Sequence, residues 1–294
     1  MYELQPFYTT KHKLVISGSV FEFYSFLRSL WLGVRIKRRN NEDDEENETK
    51  EKVSEEESRT KSAQRARRTA RRLICANSWR WFKYYGNPYP PIYFTLTFSE
   101  GVTTLKQANP DFTRFIQILN YEINRKEGQK TRIESKKTFL RYLVVHELMP
   151  ISGKIHYHAL FFNLPYMERI YDRINNVWGK GYFWIETVKV IKNKNGLNKI
   201  IGYLLKYMTK NFANTYRQKG QKSYFVSDGL IKPRDIYIEE IVEMVFSKMI
   251  PETLEYKKDD IAIERLISMN YSRYNLFDFP ELEKEVLALI NKYV

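Results

Sequence analysis

The chain has 294 residues, 43% of them apolar, which is enough for a sizeable core in one or two domains. A formal charge of +14 favours a polyanionic partner, and a single cysteine excludes an internal disulfide or a cysteine-based zinc cluster. No apolar run approaches the roughly 20 residues that cross a bilayer, and residues 1–10 lack a basic-then-apolar leader. A protein of the reducing cytoplasm with no membrane partner is the expectation.

In chain order, residues 1–36 read as an N-terminal extended segment, in which apolar and polar positions alternate through residues 15–22 and Gly18 marks a kink. Residues 37–61 are dominated by Glu, Asp, Lys, Asn and Ser and read as a charged, disordered linker. The following SAQRARRTARRLICAN has helix-favouring Ala, Arg and Leu, with Ala66, Ala70, Leu73 and Ile74 suited to a core. Arg65, Arg67, Arg68, Arg71 and Arg72 crowd the remaining surface. They are candidate DNA-phosphate contacts, the plainer alternative being a solvated amphipathic helix.

PIYFTLTFSE reads as a strand, and Asp111 as the cap of a helix carrying Phe112, Phe115, Ile116, Leu119 and Ile123 at helical spacing. Residues 139–148 and 154–163 read as two strands joined by the turn MPISG. A helix from Pro165, a strand over 181–191 and a helix over roughly 198–212 follow. Residues 236–294 read as a helical C-terminal region of two or three helices, one starting at Pro280. The order strand, helix, hairpin, helix, strand, helix predicts an α+β fold with a mainly antiparallel sheet and flanking helices over residues 62–235.

Two of the four histidines lie in His156-Tyr157-His158. On a strand, residues two apart share a face, so both imidazoles point the same way. An isolated pair of this kind is equally the mark of half-buried, hydrogen-bonded histidines. Glu147, just before the hairpin turn, changes the balance, because antiparallel pairing brings its carboxylate next to His156. Two imidazoles and a carboxylate with open positions describe a catalytic metal site, suited to Mg2+ or Mn2+ acting on a phosphate, with zinc still open. His146 should face the other side of its strand and is read as structural.

Tyr203 and Tyr207 are four residues apart, as are Lys206 and Lys210, so each pair stacks along a helix face. A phenol can attack phosphorus when a cation and a polarised phosphate favour its oxyanion, and the lysines can supply that field. An amphipathic helix with aromatic packing is the plainer reading of the pattern alone. There is no G-x-x-x-x-G-K-[ST] loop, so no NTPase or helicase is evident in the chain.

YFTLTF (93–98), IHYHALFF (155–162) and YLLKYMTK (203–210), in this order, resemble the three motifs of HUH-type rolling-circle replication initiators of plasmids and single-stranded DNA phages. The likeness is to the filamentous-phage gene II type. Supporting echoes lie in RARRTARRLICAN, WGKGYFWI and YFVSDGLIKP, so the resemblance runs over about residues 62–235. It implies an HUH endonuclease fold, Glu147, His156 and His158 as metal ligands, and Tyr203 and Tyr207 as nucleophiles. It further implies a nick in single-stranded origin DNA that leaves a 5′-phosphotyrosine and a free 3′-OH, later joining of the strand, and work alongside a host helicase and polymerase. The competing readings are an HUH transposase or relaxase and a non-catalytic DNA-binding protein. Relaxases usually place the tyrosine before the histidines, whereas here it follows.

Overall fold

The computed structural model describes residues 8–32, 55–83, 86–99, 101–127, 139–149, 151–187, 194–213, 222–264 and 267–293. It is α+β, with two five-stranded antiparallel sheets in two compact units: Met1–Ser58 with Pro233–Val294, and Arg59–Lys232.

The first unit joins the two ends of the chain. Strands β1 (Tyr8–Ser17) and β2 (Val20–Leu32) form a hairpin in which Ser17 pairs with Val20. The two-residue loop puts Gly18 at φ 63, the Gly-first signature of a hairpin turn matched to strand twist. The kink read at Gly18 is therefore a full reversal. Strand β8 (Arg234–Ile236) pairs with β1, and β10 (Ile267–Asn275) lies between β2 and β9 (Leu254–Glu264). Helices α5 (Glu239–Ser247) and α6 (Pro280–Tyr293) supply Val242, Val245, Val286 and Ile290 to a core shared with Leu14, Ile16, Phe21 and Phe23.

This corrects two sequence expectations. Residues 8–32 are not a separate N-terminal segment, since they form the middle of a sheet completed from the C-terminal end. The C-terminal region is not wholly helical, since residues 254–275 contain a hairpin whose β10 is held by pairing to β2. Strand preference depends on neighbours, and β10 finds its neighbour some 250 residues earlier in the chain, as in the Tyr271↔Tyr24 pair. The linker is also shorter than read: residues 37–54 lie outside the described residues, and 55–61 already belong to helix α1 (Glu55–Asn77).

In the second unit the sheet order is β6-β3-β5-β4-β7, from strands β3 (Ile92–Thr97), β4 (Tyr142–Leu148), β5 (Ile155–Phe161), β6 (Phe183–Thr187) and β7 (Tyr224–Val226). One face buries Phe94, Leu96, Tyr157, Ala159 and Phe161. Against them pack Phe112, Phe115, Ile116, Leu119 and Ile123 of α2 (Leu105–Glu127) and Ile174 and Trp178 of α3 (Ile170–Trp178). Each such side chain contributes about 1.5–3 kcal/mol on burial, so this face is the anchor of the unit. Helix α4 (Lys194–Ala213) packs on β4 and buries Leu197, Ile200, Leu204, Leu205 and Met208. Helix α1 buries Ala70, Leu73 and Ile74 and reaches α4 through Arg71 Nη2, 3.4 Å from Asn198 Oδ1. Its end is fixed by Asn77, whose side chain exchanges two hydrogen bonds with the backbone of Ile231.

Helix boundaries differ from the sequence expectation where a different cap operates. Helix α2 starts at Leu105 rather than after Asp111, because Thr104 and Gln107 form a reciprocal cap: Gln107 Oε1 accepts from Thr104 N at 3.2 Å and Thr104 Oγ1 accepts from Gln107 N at 3.4 Å. Pro110 lies inside the helix, and Asp111 instead pairs with Lys180 at 3.0 Å. Helix α3 starts at Ile170, five residues after Pro165, and α4 runs through Gly196.

Candidate active site

The β4–β5 hairpin sets the site. Its register places Glu147 directly opposite His156 and Val145 opposite His158, and β3 places Thr97 and Thr95 on the other side of the same two histidines. Paired residues share a face, so Glu147, His156, His158, Thr95 and Tyr93 all lie on the face away from α2 and α3. His146 pairs with Tyr157 on the opposite face, where its ring meets Phe225. The alternation argument for these residues agrees with the observed register.

His158 is the centre of this face and is buried. Its Nε2 lies 3.0 Å from Glu147 Oε2, its Nδ1 lies 2.6 Å from Tyr93 Oη, and Thr95 Oγ1 stands 3.3 Å from the same Nδ1. Burial raises the pKa of the Tyr93 phenol, which therefore stays protonated and can donate to Nδ1. In the neutral imidazole the remaining proton then sits on Nε2, directed at the Glu147 carboxylate. A histidine oriented by a fixed partner at one nitrogen, with the other turned toward a carboxylate, is how metal-ligating imidazoles are held.

Helix α4 closes the site from above. The Tyr207 ring stacks on His158 with centroids 3.6 Å apart and planes 16° from parallel. Tyr203, one turn earlier, meets Tyr93 edge-on at 4.8 Å and Tyr207 at 5.4 Å. Burial is the main cause that raises the Tyr207 pKa, reinforced by its hydrogen bond to Tyr203 and by the nearby Glu147 charge. Tyr203 remains 43% exposed and is the open member of the pair. Lys206 faces solvent, and the Lys210 side chain lies outside the described residues.

His156 is half-buried beside His158, their ring centroids 6.5 Å apart. Burial, and then the neighbouring His158, lower its pKa, so it is a neutral imidazole available as a ligand. The donors of Glu147, His156 and His158 share one face but do not close on one point. Among the described residues, the three-donor group within 4.8 Å is His12, Glu239 and Glu243 in the first unit, a group the sequence reading missed. Its signal was an i, i+4 pair of glutamates on α5. At Glu147, His156 and His158 the residues fit a divalent cation in donor type and shared face, with His156 the donor that stands off.

Of the arginines on α1, Arg65, Arg67 and Arg68 are exposed, while Arg71 and Arg72 are partly buried. Tyr93 and Thr95 were quoted in sequence only as part of a motif, and the structure makes them the partners of His158. Their signal was the polar alternation Tyr93, Thr95, Thr97 along an otherwise apolar strand.

The fold is consistent with an HUH endonuclease, and its polar sheet face carries a site compatible with a divalent cation. Residues 91–212 match a protein-family model described as replication-associated protein of the ORF2 and gene II protein type, which supports a rolling-circle Rep-like initiator of that family. The matched segment contains Tyr93, Glu147, His156, His158, Tyr203 and Tyr207, while α1 lies outside it. No curated protein and no solved structure is matched. No helix among the described residues is long and apolar enough to cross a membrane.

Proposed function

We propose that the chain initiates rolling-circle replication by nicking single-stranded DNA at an origin, with residues 62–235 as the nicking segment. The observation that carries this reading is the stacking of Tyr207 on His158, which makes the tyrosine helix and the histidine face a single site. A divalent cation, Mg2+ or Mn2+, held by Glu147, His156 and His158 would polarise a non-bridging oxygen of the scissile phosphate.

The rest is the work of the chain's own residues. Tyr203, the open phenol, takes the first attack. Its Oη bonds to phosphorus, the bond from phosphorus to O3′ breaks, the phenol proton leaves, and O3′ takes up a proton. The products are a 5′-phosphotyrosine and a 3′-OH that primes synthesis. Rejoining is the reverse: a 3′-oxygen attacks the phosphotyrosine and returns the phenol. Tyr207, one helical turn away, serves the second transfer. Lys206 and Lys210 place positive charge along the same helix to hold the phosphate. Arg65, Arg67, Arg68, Arg71 and Arg72 contact DNA phosphates from α1. With no P-loop in the sequence, unwinding and synthesis fall to a host helicase and polymerase in the cytoplasm.

The test is incubation of the protein with end-labelled single-stranded origin oligonucleotides and Mn2+, followed by denaturing electrophoresis. A covalent protein–DNA band that chelator abolishes is the expected result. Intact binding with no adduct on any candidate origin would leave a non-catalytic DNA-binding protein as the reading.

A further inference from the structure

The site face continues beyond the histidines to an open edge. Across the second-unit sheet, Trp184 of β6 pairs with Thr95 of β3, and Thr95 pairs with His158 of β5. Trp184 therefore lies on the same face as His158, two strands away, or about 10 Å at the usual strand spacing. Helix α4 packs on β4, on the other side of β5. Trp184 is 51% exposed and Tyr182 is 65% exposed, an unusual cost for large aromatic rings on a sheet. With Tyr171 and Asn175 they line a recess of about 490 Å3 at the edge of the sheet. The edge itself is held: Tyr171 Oη donates to Ile185 O at 3.0 Å, and Tyr182 O accepts from Thr97 N and from Thr97 Oγ1 at 2.8 and 2.7 Å. The aromatic rings are thus presented on a fixed strand.

The occupant follows from the chemistry. A planar π-face beside a phosphate-handling site, on a chain of +14 charge, suits a nucleic-acid base. Glu186 shares the face with Trp184, opposite Tyr93, and is exposed. A carboxylate there repels phosphate but accepts a hydrogen bond from a base amino group. Bases, not backbone, are therefore turned toward β6.

We infer that Trp184, with Tyr182 beside it, is the stacking platform that holds the unpaired base flanking the phosphate at His158, and so positions single-stranded DNA for the reaction. This rests on the proposed nicking function. It adds that the strand approaches from the β6 edge and is gripped by its bases.

The experiment compares binding of a dT12 oligonucleotide and a 12-unit abasic strand of the same charge to the wild-type, Trp184→Ala and Trp184→Phe proteins. Wild type should bind dT12 more tightly than the abasic strand. Trp184→Ala should lose about 10-fold or more for dT12, within the range for one stacked base, and little for the abasic strand. Trp184→Phe should keep most of the preference and restore the adduct yield. Both variants are checked by circular dichroism, and the base-against-abasic comparison in wild type stands even if one fails to fold. A wild-type adduct with an unchanged preference in folded Trp184→Ala overturns the platform and leaves the patch to another partner. A wild-type preference that Trp184→Ala abolishes, with no adduct from any protein, overturns the nicking function and leaves the platform standing.

Discussion

The imidazole of His158 and the phenol ring of Tyr207 lie face to face, 3.6 Å between centroids, although 48 residues of sequence separate them. Around this pair the molecule has put every group that phosphoryl transfer needs. Glu147 meets one nitrogen of the imidazole, Tyr93 meets the other, and Tyr203 stands at the open side.

Because Tyr203 is open and Tyr207 is stacked, the two should not be equivalent. Tyr203→Phe is expected to lower initial adduct formation by about 10^3-fold or more, as removal of a nucleophile does. Tyr207→Phe should leave the first adduct and impair rejoining. Single-turnover cleavage and joining of the same oligonucleotide separate the two steps.

The Tyr93 hydroxyl orients His158 without touching DNA. Tyr93→Phe keeps the ring and removes only the 2.6 Å contact at Nδ1. Metal affinity, read by Mn2+ titration of adduct yield, should fall about 10- to 100-fold. Single-stranded DNA affinity should be unchanged. A drop in DNA binding of equal size would mean that the phenol supports the fold and not the imidazole.

The exposed arginines of α1 predict a salt dependence. If Arg65, Arg67 and Arg68 each neutralise one phosphate, their joint replacement by alanine lowers the slope of log K against log salt by about 2 on single strands. Binding measured by anisotropy over a salt series checks this. An unchanged slope would return α1 to a solvated helix.

Gly181 positions the β6 edge. Its φ is +155, and a Cβ there would stand 2.5 Å from Ser99 N and 2.6 Å from Thr97 O. These are backbone atoms that cannot swing aside, so Gly181→Ala must push the start of β6 from β3. A loss of about 1–3 kcal/mol in chemical denaturation is expected, along with weaker single-stranded DNA binding. Gly202→Ala, on α4 with open space around it, should be neutral or slightly stabilising in the same measurement.

The part of the site that lies on one hairpin was legible in the sequence. Strand alternation and a short turn were enough to put Glu147 opposite His156 and to turn His146 away, because register follows directly from the period of a strand. The spacing of Tyr203 and Tyr207 gave their common helix face but not what lay beneath it. That His158 is the imidazole they cover, and that Tyr93 fixes it, depends on packing between α4 and the sheet, which no local pattern encodes. The first unit was the least legible. Residues 8–32 pair with strands more than 200 residues away, and β10 looks helical or neutral until β2 is beside it. The start of α2 was readable in Thr104 and Gln107, but Pro110-Asp111 offered a more familiar signal and masked it.

The most direct test of the whole account uses the cleavage pattern of the helix itself. Trypsin cuts after Lys199, Lys206 and Lys210, so Tyr203 and Tyr207 fall in the separate peptides 200–206 and 207–210. Mass spectrometry of a trapped adduct, digested to leave a short nucleotide tag, locates the phosphotyrosine. The account predicts the tag on 200–206 in a single-turnover reaction, with 207–210 tagged only after strand transfer. A tag on any peptide outside α4 would contradict it.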